Sequence, residues 1–140
     1  MNDRGSMIPL FGGVVVLGLI IVFGLSAATS LLVERQRLYA LADGAAIVAA
    51  ESFDPAQVRL IAGVIRAPLS SALVEAEVRN YLRTPGIHSL EGVVLESATT
   101  PDSRHARVEL SSLWRPPLVS QFFPAALRIG VSAQAQVFIR

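Results

Sequence analysis

The chain of 140 residues contains no cysteine, and all 12 of its basic residues are arginine. Without cysteine there is no disulfide, thiolate metal site, iron–sulfur cluster or thiol nucleophile. Charged residues make up only 16% of the chain, whereas about a quarter is usual in soluble domains. The basic residues are nearly balanced by 11 acidic ones and form no cluster, so the sequence does not support a nucleic-acid partner.

Apolar residues are abundant and concentrated near the N-terminus. They make up 52% of the chain, and the mean hydropathy is +0.53. Residues 5–33 carry no charge, between Arg4 and Glu34. As a helix this stretch extends ~44 Å, against a hydrocarbon core of ~30 Å. A chain this small has too little surface to cover such a helix on all sides, so the pattern predicts a membrane span.

A cleaved secretory signal is the competing interpretation of the same stretch. Ser26, Ala27 and Ala28 are small residues of the kind that a signal peptidase accepts. Cleavage after Ala28 would release a secreted binding domain. The apolar run is longer than a usual signal core, and the helical pattern continues beyond it.

Beyond Val33 the sequence becomes amphipathic and stays helical. Apolar residues recur at steps of three and four: Leu38, Leu41, Ala42, Ala45, Ala46 and Ala49. We therefore predict one helix from about Met7 to Ser52, with a helix–turn–helix broken at Gly44 as the alternative, because glycine weakens a helix. Asp43 lies in the apolar half of the alanine stripe, and we predict either a buried salt bridge to Arg35, Arg37 or an arginine of the head, or exposure to water.

Residues 53–140 are predicted to form a small α+β head. Asp54 and Pro55 are suited to begin a short helix, whose apolar positions would be Val58, Ile61, Ala62 and Ile65. A second short helix would be capped by Ser70 or Ser71 and end at residues 84–86, Thr-Pro-Gly.

The remainder of the head alternates with a period of two, which favours strands. Residues 92–99 form one candidate strand, residues 106–111 a second, and residues 129–139 a third. Turn residues at 100–103 separate the first two. We predict a three-stranded antiparallel sheet with its apolar face toward the helices.

No pattern in the chain indicates an enzyme. The two histidines, His88 and His105, lie among polar residues, and no H-E-x-x-H, G-x-S-x-G, P-loop or dinucleotide-binding motif is present. We assign no catalytic residue, cofactor or metal site. Trp114, Phe122 and Phe123 are predicted to pack in the core, with an exposed contact patch as the alternative.

Residues 4–51 resemble the TadE/TadG-like family, pilin-like membrane proteins of tight-adherence (Flp-type) pilus systems. The resemblance lies in residues 4–10, Arg-Gly-Ser-Met-Ile-Pro-Leu, in the hydrophobic helix, in residues 32–38, Leu-Val-Glu-Arg-Gln-Arg-Leu, and in residues 42–46, Ala-Asp-Gly-Ala-Ala. The alternating last strand is similar as well. The resemblance implies a type IV pilin-like architecture, in which a long helix, half in the membrane, carries a small extracytoplasmic head.

The family pattern also implies a site for prepilin peptidase. Gly5 would precede the cut and Ser6 would become the new N-terminus. Leu10 then occupies the position of the usual pilin glutamate, whose carboxylate neutralises the N-terminus of a neighbouring subunit. Because leucine cannot do this, the resemblance implies an uncut or minor subunit, acting with other pilin-like subunits or assembly-platform proteins as a hetero-oligomer.

Small residues in the span are candidates for helix packing in lipid. Gly24 and Ala28 are four residues apart, as are Ser26 and Ser30, and this spacing lets helices approach closely. The predicted organisation is a leader or cytoplasmic stub at 1–5, a transmembrane half at 6–33, a projecting half at 34–52 and the head at 53–140. A single-pass envelope protein of another secretion complex remains an alternative function.

Overall fold

The computed structural model describes residues 7–54, 56, 58–61, 64–66, 68–118, 120 and 124–136. Two helices and five strands follow one another in these residues: α1 (Met7–Glu51), β1 (Arg59–Ile61), β2 (Val64–Arg66), α2 (Ser71–Arg83), β3 (Val94–Thr99), β4 (His105–Trp114) and β5 (Leu127–Gln136).

The prediction of one long helix is confirmed, and the alternative of a break at Gly44 is wrong. α1 runs without interruption from Met7 to Glu51. Pro9 is tolerated because it lies in the first turn, where its missing N–H has no partner to lose. Gly44 faces α2, and a Cβ built on it would collide with the hydroxyl of Tyr81. The glycine that weakens the helix locally therefore lets the second helix come close.

The three-stranded antiparallel sheet is also confirmed. Its order is β3-β4-β5, and β4 pairs with β5 along its whole length, from His105 opposite Gln136 to Trp114 opposite Leu127. β4 ends where Arg115-Pro116-Pro117 begins, since proline cannot donate to the ladder. Between β3 and β4 the register shifts around Glu96, a bulge that gives β3 one extra residue.

Both helices pack on one face of this sheet. α1 lies against β4 and β5, and α2 fills the angle between α1 and β3. The shared core contains the alanine stripe of α1, Val74 and Val78 of α2, and the inward positions of the strands, among them Ala106, Val108, Leu110, Val131 and Ala133. Alanines on both sides of the interface let the helix axis lie close to the sheet.

The first of the two predicted short helices is wrong. Arg59–Ile61 and Val64–Arg66 pair as antiparallel strands instead, with Arg59 opposite Arg66 and Ile61 opposite Val64. The two residues between the strands are Ala62 and Gly63, and a two-residue link containing glycine is a hairpin signal that outweighs the helical spacing. β-branched side chains around the link also favour extended backbone.

The second short helix is confirmed at Ser71–Arg83, with Ser70 at the N-cap position.

The head has two ends along the axis of α1. We call the end that contains Trp114 and Leu127 the proximal end, because it lies nearest the N-terminal half of α1. The distal end contains His105, Gln136 and the turn at residues 100–104, and it lies beside the end of α1 at Glu51.

Candidate functional site: the exposed span of α1 and its junction with the head

The N-terminal part of α1 has no covering in the described part of the chain. Every residue from Met7 to Leu25 is exposed, and the most apolar window of the helix has a mean hydropathy of 2.7 with none of it buried. At 1.5 Å per residue the exposed part is about 28 Å long. By length and composition α1 is therefore able to cross a membrane, and its N-terminal part takes no share in the core of the head.

Leu10 lies in the first turns of this exposed span and presents its side chain to the outside. The predicted cleavage residues, Gly5 and Ser6, lie outside the described residues. No charged residue occurs anywhere in the described helix before Glu34.

The four small residues predicted to pack helices fall into two groups. Gly24 and Ala28 are exposed, and a Cβ on Gly24 would meet nothing. Ser26 and Ser30 are half-buried on the side of the head. The Ser30 hydroxyl accepts a hydrogen bond of 3.3 Å from the indole Nε1 of Trp114, so its partner belongs to the same chain.

The contact between α1 and the head therefore extends beyond the alanine stripe, toward the N-terminus of α1. Trp114 is only 7% exposed, which confirms the core-packing prediction for this residue, while Phe122 and Phe123 lie outside the described residues. Sequence reasoning missed its bond to Ser30, because the two residues are 84 positions apart. The sequence feature that could have indicated this bond is a tryptophan at the end of a predicted strand, because a buried indole N–H usually finds an acceptor.

Of the two alternatives predicted for Asp43, the structure shows exposure to water and not the buried salt bridge. Asp43, Arg35 and Arg37 are all exposed, and no ion pair joins them. Each residue turns a helix by about 100°, so Asp43 is rotated off the stripe on which Ala42 and Ala46 are buried. The guanidinium of Arg35 lies over the ring of Tyr39 instead, 5.7 Å from its centroid.

A polar cluster joins the three strands on the sheet face away from the helices. The Ser111 hydroxyl donates to Oε1 of Glu96, at 2.5 Å, and accepts from Nη1 of Arg128, at 2.8 Å. Ser111 is almost fully buried beneath these partners. Because Ser111 is buried and holds both Glu96 and Arg128, the cluster supports the pairing of the three strands.

Both histidines are half-buried rather than freely solvated. Nδ1 of His105 lies 2.5 Å from a carboxylate oxygen of Asp102, whose other oxygen accepts the backbone N–H groups of Arg104 and His105. The hydrogen bond from the His105 backbone, then that from its side chain, lowers the pKa of Asp102 to about 2. This carboxylate organises the turn between β3 and β4.

The pKa of Asp102 predicts an acid-sensitive turn. Its folded-state pKa lies below the unfolded value of 3.8, so its contribution to stability is present above that pH and is lost as the pH falls through about 2. We expect the Asp102→Asn variant to lose less thermal stability than the wild type between these pH values.

Thermal unfolding followed by the fluorescence of Trp114, the one tryptophan of the chain, measures this difference. Asp43→Asn is the matched control, since that exposed carboxylate makes no ion pair in the described residues. Equal acid losses in the wild type and Asp102→Asn would contradict the prediction.

The described residues offer little for other chemistry. They contain no group of three histidine or acidic side chains that could hold a metal ion. A shallow groove at the distal end is lined by Ile47, Ala50, Glu51, Phe53 and residues 134–136, and it brings together no acid–base pair. The geometry instead points to the exposed span of α1 as the functional feature.

Comparisons with known proteins yield no relative. No family model matches the chain, and neither the curated proteins nor the solved structures contain a significant match.

Proposed function

We propose that this chain is a structural, membrane-anchored subunit, a minor pilin or pseudopilin-like component of a tight-adherence type IV-like pilus or of its assembly machinery. It acts by packing its helix in the membrane or fibre and by displaying the head outside the cytoplasm. Its partners are the lipid bilayer and other pilin-like subunits or platform proteins.

The observation that carries the proposal is the division of one uninterrupted helix into two environments. Met7 to Leu25 is apolar and exposed all round, whereas the second half forms the centre of the head from Leu38 onward. Exposed apolar surface of this extent needs lipid or other helices around it. α1 passes from the membrane-suited half into the head without a break. Such a rigid helix fits a subunit in which the position of the membrane half fixes the position of the head.

The features of the span fit a minor subunit better than a repeating one. Leu10 offers no carboxylate to a neighbour's N-terminus. Gly24 and Ala28 leave a small-residue face for one helix neighbour, and Ser30 is engaged by Trp114 within the chain. The continuous helix through Ala28, with Ser26 and Ala27 half-buried against the head, disfavours cleavage at that position.

The intact mass of the protein purified from its native cells tests the proposal. A full-length mass or a loss of residues 1–5 is expected, the former for an uncut anchor and the latter for prepilin processing. Co-purification with pilin-like subunits or platform proteins after crosslinking in the cells is the second expected result. A mass that has lost residues 1–28 would replace the proposal with the secreted binding domain.

Protease added to spheroplasts tests the orientation. Arg4, next to Asp3, and the arginines at 35 and 37, which follow Glu34, lie on opposite sides of the span, so charge does not set the direction. We expect digestion of the head in intact spheroplasts, and protection of the head until the cells are lysed would overturn the assigned side. A full-length protein that crosslinks only to other envelope proteins would favour the alternative secretion complex.

A further inference from the structure

The proximal end of the head lies where the exposed span of α1 stops. Residues 26, 27, 30 and 31 are half-buried on the side of the head, while all residues from Met7 to Leu25 are exposed. The span below this level is about 28 Å long, close to the ~30 Å of a bilayer's hydrocarbon core. A bilayer that covers the span therefore ends at the height of Trp114.

The proximal end exposes apolar side chains at this height. Leu127, which pairs with Trp114 at the start of β5, is 58% exposed, and Leu118, in the loop after β4, is 44% exposed. On α1, Leu32 and Val33 are also exposed, two and three residues after Ser30, the partner of Trp114. The strand end at Leu127, the loop at Leu118 and this part of α1 thus each expose apolar side chains.

The backbone of the loop is arranged to display Leu118. Its φ of 70° lies in the left-handed region, which a bulky residue rarely adopts. It follows Pro116 and Pro117, and the carbonyl of Pro116 accepts a hydrogen bond from the N–H of Ser120. A strained leucine held at the surface of a proline-braced turn is a feature typical of contact sites.

Arg115 and Arg128 complete a composition suited to the membrane–water interface. Both arginines are exposed, and arginine places its aliphatic stem on apolar surface while its guanidinium reaches phosphate. Arg115 is held by Glu91, with Nε 3.2 Å from the carboxylate.

We propose that the proximal end of the head is a lipid-binding surface. Leu118 and Leu127 insert into the interface of the bilayer that holds α1, and Arg115 and Arg128 contact lipid headgroups. The head then rests on the membrane instead of standing above it on a free stalk. This inference rests on the membrane anchoring in the proposed function, and the experiment below separates the two.

Single spin labels measure the depth of chosen side chains. The absence of cysteine makes Leu118→Cys and Leu127→Cys unique labelling sites in the full chain, reconstituted in vesicles of phosphatidylethanolamine and phosphatidylglycerol. Leu60→Cys is the matched control, because Leu60 is 73% exposed and belongs to β1. In the sequence this strand lies between the end of α1 and Leu69, whose N–H donates to the Ser103 carbonyl of the distal turn. Val15→Cys reports whether the span itself is in lipid.

Collision rates of the labels with oxygen, which concentrates in lipid, and with a water-soluble nickel chelate give the result. We expect the oxygen-to-nickel ratio at positions 118 and 127 to exceed that at position 60 several-fold, with the highest ratio at position 15. Far-ultraviolet circular dichroism verifies that each labelled head is folded.

Two outcomes would overturn the inference while the anchoring stands. In both, position 15 is in lipid. Labels at 118 and 127 that collide with nickel as often as the label at 60 show a head raised above the membrane, and labels shielded from both reagents show that protein covers the patch. A label at position 15 that lies in water would overturn the proposed anchoring itself.

Discussion

An aspartate in place of Ile20 is expected to release the protein from the membrane. Ile20 is 61% exposed in the middle of the span, where apolar contact with lipid is its only role in the proposed function. An aspartate at the centre of a membrane helix costs about 2.5–3.5 kcal/mol, and the lost isoleucine adds about 0.5 kcal/mol. We therefore expect the insertion equilibrium to fall about 100-fold or more.

Extraction of membranes with alkaline carbonate measures this loss. Ile47→Asp is the matched control, because Ile47 is 54% exposed on the same helix but lies beside the head, beyond the span. The control should remain in the membrane pellet, while Ile20→Asp moves to the supernatant or is degraded. If both variants stay in the pellet like the wild type, the span of α1 is not what holds the protein there.

Replacing Ala45 with leucine is expected to loosen the head from α1. Ala45 is fully buried in the stripe that packs with the sheet and α2, and three added carbons have no space between a rigid helix and the strands. Overpacking of this kind costs about 1–3 kcal/mol. The head is small and the stability of such domains is only about 5–15 kcal/mol, so the variant loses a large share of it.

Urea unfolding in detergent, followed by the emission of Trp114, tests this prediction. Ala40→Leu adds the same atoms at an exposed position of α1 and should keep the wild-type midpoint, whereas Ala45→Leu lowers it. Equal midpoints for the two variants would show that the alanine stripe is not a close-packed interface.

Most of the framework could be predicted from local patterns. The long helix, α2 and the three sheet strands each have a periodicity that neighbouring residues determine, and residues such as Pro116 and the Thr-Pro-Gly at 84–86 mark their ends. The strand pair at 59–61 and 64–66 was missed because a short apolar segment fits both periods, and the two-residue link with Gly63 should have decided between them.

The surface roles were harder to predict, because they depend on partners distant in the sequence. For Asp43 the sequence leaves a salt bridge to an arginine and exposure to water as alternatives, and the rotation of the helix turns the residue outward. Ser30 was assigned to helix packing in lipid, while the fold supplies Trp114 as its partner. The cluster of Glu96, Ser111 and Arg128 forms only because a bulge and two strand registers bring three segments together.

The sequence by itself determined that the first half of α1 is suited to a membrane and that the second half supports an α+β head, since both follow from local hydropathy and period. The tertiary structure alone decided where the head begins along the helix and which side chains its proximal end exposes. The position of the head along α1 is set by contacts between residues distant in the sequence, Trp114 on Ser30 and Tyr81 beside Gly44. No local pattern encodes such contacts.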